Sequence, residues 1–60
     1  MNQPTPIQLI ELRLKQAGLK KGKLAEQLGI TPEYLSMLFS GTRNLPDHIK
    51  ARAYSFLGIN

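Results

Sequence analysis

Lys20, Lys21 and Lys23 stand almost side by side, and Arg43 and Asn44 follow further along the chain. Clustered ammonium and guanidinium groups are the chemistry of phosphate recognition, because each phosphate they neutralise releases condensed counterions. The whole chain leans the same way, with eight Lys and Arg against four Asp and Glu and a formal charge of +4. A solvated basic patch would have the same composition, so placement carries more weight than the count. Other chemistries lack their parts. With no cysteine there is no disulfide framework and no thiolate for catalysis or zinc. His48 is the single histidine, and a lone His without a second ligand is no metal site; it reads as a surface residue. Glu26 and Glu33 have no apolar cleft between them to tune a pair for acid–base work. Neither a Ser-His-Asp order nor a phosphate-binding glycine loop is present. No enzyme and no cofactor is expected.

Those basic residues need elements to hold them, and the stretch Lys21 to Ser40 supplies two. Leu24, Ala25 and Leu28 share one face of a first helix. Gly29 stops it, since a residue without Cβ takes the left-handed conformation cheaply. Ile30 is expected as a buried pin. Thr31 caps a second helix, with Pro32 at the first helical position, where its missing N–H costs nothing. Leu35 and Leu38 turn that helix back onto the first, and Ala25 is the small side chain at their crossing. Two short helices joined around a glycine form a helix-turn-helix, which lays its second helix in the DNA major groove. The lysines then fall at the start of the first helix and Arg43 just after the second. Lys20 is a poor N-cap. Gly22 in the first turn costs about 0.5–1 kcal/mol relative to Ala; close approach of a sugar-phosphate backbone and simple drift both account for it.

The remaining chain completes one domain over residues 1–60. Residues 1–4 read as a disordered arm. Thr5, Pro6 and Gln8 open a helix with a capping box. Ile7, Ile10, Leu14 and Ala17 form its stripe, Leu9 and Leu12 broaden it, and Gly18 ends it. Glu11 and Lys15 make an i, i+4 pair. A last helix runs from about Asp47 to Leu57, with Ile49, Ala53 and Phe56 on one face and Gly58 as its stop. MNQPTPIQ has no secretion signal and nothing reaches membrane-spanning length, so a cytoplasmic protein is expected.

The run GLKKGKLAEQLGITPEYLSMLFSGTRNLP, followed by a final helix ending FLGI, resembles the phage repressor and Cro family of helix-turn-helix proteins. The resemblance implies an all-α, compact lambda-repressor-like domain of four to five helices. It also implies a nucleoid-associated transcriptional regulator that binds double-stranded DNA as a homodimer on a palindromic operator. Carried over by position, Pro32, Glu33, Tyr34, Ser36 and Met37 would face base edges. Lys20, Lys21, Lys23, Thr31, Arg43 and Asn44 would meet phosphates, with Lys21 where the family often has a Gln.

The reading set departs from the family. Gln, Arg, Lys and Asn bond bidentately to guanine or adenine, whereas a proline, a glutamate, a serine and a methionine stand here. Glu33 can accept from the cytosine amino group and Met37 can pack on a thymine methyl, leaving part of any specificity to DNA shape or to a second protein. A rival reading arises from the same departure: a protein-interaction module that keeps the fold and binds a protein partner through Tyr34 and Met37, expected on the outer side, together with Phe39. Phe39 also reads as a core or boundary residue. Tyr54, Phe56 and Ile59 are either the seam of a homodimer or packed within the chain.

Overall fold

Apolar residues spaced by three and four, punctuated by glycine, fold into four helices. The computed structural model describes residues 4–59, so the expected arm lies outside the described residues except for Pro4. Helix α1 spans Pro6–Gln16, α2 Lys21–Leu28, α3 Pro32–Ser40 and α4 Asp47–Leu57. No strand occurs among the described residues, and the all-α expectation is met with four helices.

The starts of the helices differ. At α1 the Gln8 amide donates to Thr5 Oγ1 at 3.2 Å while the Thr5 amide donates to Gln8 Oε1 at 2.9 Å, which satisfies two otherwise free donors. At α3 the Tyr34 amide donates to Thr31 Oγ1 at 3.1 Å. Neither Lys20 before α2 nor Pro46 before α4 gives a side-chain cap.

The ends share one device. The residue after each terminal glycine donates its N–H back to the last turn: Leu19 to Leu14, Ile30 to Ala25, Thr42 to Met37 and Ile59 to Tyr54, at 2.8–3.1 Å. Gly29, at φ 71°, takes the left-handed conformation that this closure requires. Leu19, Ile30 and Ile59 are thereby swung onto the core. Thr42 stays exposed.

Ile10 and Leu14 of α1, Leu24, Ala25 and Leu28 of α2, Leu35 and Leu38 of α3, and Ile49 and Ala53 of α4 form the core with Ile59. Helix α2 packs on α3 and α4, and α1 packs on α4 and α3. Ala25 and Ala53 are almost completely buried; their small side chains let neighbouring helices approach closely. The radius of gyration is 10.6 Å, close to the value of about 10 Å for a compact chain of this length.

Several expectations need correction. Phe56 is not a core residue but is 38% exposed, because the reversal at Gly58 brings Ile59 back over the end of α4. Ile59 is accordingly 8% exposed and packed within the chain's own core. Ala17 is exposed, since α1 stops at Gln16 and leaves it as the C-cap. Ile30 is half-buried against the core rather than fully enclosed. The Glu11–Lys15 pairing is not made; the ion pair formed among the described residues is Lys23–Glu26.

Candidate nucleic-acid interface

A helix start without a cap leaves amides free, and α2 is such a start. The Lys23 and Leu24 amides bond back to the Lys20 carbonyl, while those of Lys21 and Gly22 find no partner among the described residues. No acidic side chain lies in this first turn. Lys20, Lys21 and Lys23 are all exposed around it. Free amides, the positive end of the helix dipole and three lysines act in one direction, toward an anion. A Cβ added to Gly22 would meet open space within 4 Å, so the chain's own packing does not require glycine there.

Helix α3 turns its two apolar anchors, Leu35 and Leu38, wholly inward. Pro32, Glu33 and Ser36 of the same helix are left exposed. Tyr34 is half-buried and packed against the core. Met37, expected to be exposed on the outer side of the helix beside Tyr34, is half-buried too. The chain beyond α3 doubles back at this turn, with the Thr42 and Arg43 amides donating to the Met37 carbonyl at 3.0 and 3.3 Å. Ser40 Oγ also donates to that carbonyl at 3.1 Å and lies 2.9 Å from Thr42 Oγ1.

One contact brings a basic residue to this helix. The Lys21 ammonium stands 5.0 Å from the centroid of the Phe39 ring, on the last turn of α3. The start of α2 is therefore laid against the end of α3, and its charge borders the outward face. Arg43 and Asn44, both exposed, line an open groove of about 350 Å³ with Lys50 and Asp47 of α4, Pro6 of α1 and its N-cap Thr5. Lys23 is partly engaged already, its ammonium 3.8 Å from Glu26 Oε1 with both side chains well exposed; such a pair contributes about 0–1 kcal/mol and gives way easily.

A helix-turn-helix family model matches residues 9–49, from within α1 to the first turn of α4. The chain belongs to the repressor and Cro-type helix-turn-helix family. No curated protein and no solved structure matches it. Family membership makes this helix-turn-helix domain a binder of double-stranded DNA and a transcription regulator at the level of the family. No helix among the described residues is long and apolar enough to cross a membrane.

Two side chains of α4 beside this motif, and one contact of Phe39, were not legible as functional. Arg52, from α4, donates to the Leu28 carbonyl at 3.3 Å, so a cation on the last helix closes the C-terminus of α2 at the motif's turn. Lys50 shares the groove of Arg43 and Asn44, and its ammonium lies 5.5 Å from the Tyr54 ring centroid. Phe39 carries Lys21. For Lys50 a signal existed, as a cation one turn into the helix after the Arg43 loop. For Arg52 none did, because its partner is a backbone carbonyl distant in sequence. The surface assigned to a protein partner is reduced by the same contacts: Tyr34 and Phe39 both lean on the core, and Lys21 covers the ring of Phe39.

Proposed function

We propose that this helix-turn-helix domain is a sequence-specific transcriptional repressor of the Cro type, which binds a palindromic operator as a homodimer in the cytoplasm, on the nucleoid. Helix α3 enters the major groove with Pro32, Glu33, Tyr34, Ser36 and Met37 toward the base edges. Lys20, Lys21, Lys23, Thr31, Arg43 and Asn44 hold phosphates on either side. The observation that carries this reading is the position of the Lys21 ammonium beside the last turn of α3, a positive charge next to a helix that also exposes Pro32, Glu33 and Ser36. Tyr54 and the exposed Phe56 remain the surface for a second subunit.

Base discrimination rests on Glu33 and Met37, with DNA shape supplying the remainder. Selection from random duplexes followed by footprinting tests the whole reading. A protected palindrome is the expected result, and absence of any protection at low salt would sink it. Lys21→Ala should weaken binding to all duplexes alike, whereas Glu33→Ala or Met37→Ala should change which duplex is preferred. A change of preference on Lys21→Ala would overturn the division of roles.

A further inference from the structure

Nothing in the spacing of Lys21 and Phe39 pairs them, yet they meet across the seam between α2 and α3. The two partners are unequal. Phe39 is half-buried and packed against the core, while Lys21 is exposed. The ring is therefore a fixed platform and the lysine the side chain it steadies. An aromatic face attracts a cation through its quadrupole. A lysine ammonium is a compact charge with three donors, and a ring on one side leaves the others free for an acceptor. Lys23 makes the contrast: it is held by the carboxylate of Glu26, which a phosphate must displace. A ring has no net charge and takes nothing from the phosphate.

We propose that Phe39 is a positioning residue for DNA binding, its ring holding the Lys21 ammonium in the pose from which it meets a backbone phosphate. The proposal rests on the DNA-binding reading above. Apparent affinity scales with the fraction of molecules in the binding-competent arrangement. An exposed cation–π contact shifts that fraction by about two- to five-fold. Phe39 is thus expected to act on affinity for every sequence, through Lys21 alone.

The test replaces Phe39 with mono-, di- and trifluorinated phenylalanine, which keeps the packed shape while draining negative potential from the ring face. Affinity for a labelled duplex of random sequence is read by fluorescence anisotropy at low salt, with Lys21 present and in a Lys21→Met background. With Lys21 present, affinity should fall stepwise along the series, by about two- to five-fold per subunit at its end. In the Lys21→Met background it should stay flat. The salt slope should be unchanged by fluorination, because Lys21 still neutralises its phosphate, and reduced by about 0.9 per subunit by Lys21→Met. Phe39→Leu, which keeps an apolar contact without a quadrupole, should match the trifluorinated protein. A flat series with Lys21 present overturns the proposal, and so does tighter binding, which would mean that the ring holds the lysine away from DNA. If the unmodified chain binds no duplex at low salt, the DNA-binding reading fails and takes the proposal with it; a chain that binds but gives a flat series loses the proposal alone.

Discussion

The helix starts on either side of the motif's turn treat their free amides in opposite ways. At α3, Thr31 accepts from Tyr34 and Pro32 has no N–H to offer, and Glu33 adds a negative charge to the first turn. That start leaves fewer amides free and carries a negative charge, so it attracts a phosphate less than the start of α2 does, and the Thr31 hydroxyl hydrogen is the donor it can offer. At α2 no side chain caps the helix, no acid lies in the first turn and three lysines surround it. Such a start costs stability in the isolated domain and recovers it when an anion arrives. Under the proposed function the difference would separate two tasks: a helix that reads base edges gains from a weaker pull toward the backbone, whereas a helix that grips the backbone gains from a stronger one.

The largest measurable consequence is electrostatic. With three to four phosphates neutralised per subunit, log K for a dimer should fall with log salt at a slope of roughly −5 to −7. Fluorescence anisotropy across a salt series measures it, and a slope near zero would break the assignment of α2 to the backbone. Next comes a pair of cap substitutions. Thr31→Ala should cost about 1 kcal/mol in urea unfolding, while Lys20→Ala should leave unfolding within about 0.5 kcal/mol and weaken DNA binding. Equal stability losses would mean that the two starts are capped alike.

Gly22→Ala sharpens the contrast further. Because open space surrounds the missing Cβ, the variant should be about 0.5–1 kcal/mol more stable. If the sugar-phosphate backbone passes close to this turn, the same variant should bind DNA less tightly; unchanged or tighter binding would leave the glycine without a functional reason. The smallest effect belongs to Glu26→Gln. Removing the partner of Lys23 should alter stability by less than about 0.5 kcal/mol and raise affinity for any duplex a few-fold. Weaker binding would show that Glu26 orients the lysine rather than occupying it.

Most of the helix boundaries are legible in the sequence because local chemistry writes them. Thr5-Pro6 and Thr31-Pro32 open helices, Gly29 and Gly58 close them, and the Leu24–Ala25–Leu28 and Leu35–Leu38 spacings fix which faces turn inward. Expectation and structure part where the chain reverses. Phe56 has the right period to be buried, yet the return of Ile59 over the end of α4 closes the core in its place. Helical periodicity describes a straight rod and is blind to the chain beyond its last turn. The sequence offers the candidate site as a set of residues and not as a set of contacts. Lys21 on Phe39 and Arg52 on the Leu28 carbonyl both depend on how far long side chains reach across packed helices, which neither residue type nor spacing encodes.

The Arg52 bond ties together parts of the chain that sequence order keeps apart. The carbonyl it grips belongs to the residue just before the glycine of the turn, so partial opening of the last helix releases the turn as well. Hydrogen exchange should accordingly find the amides of Gly29 and Ile30 opening together with those of α4, as one cooperative unit, rather than fraying with the neighbouring surface loop.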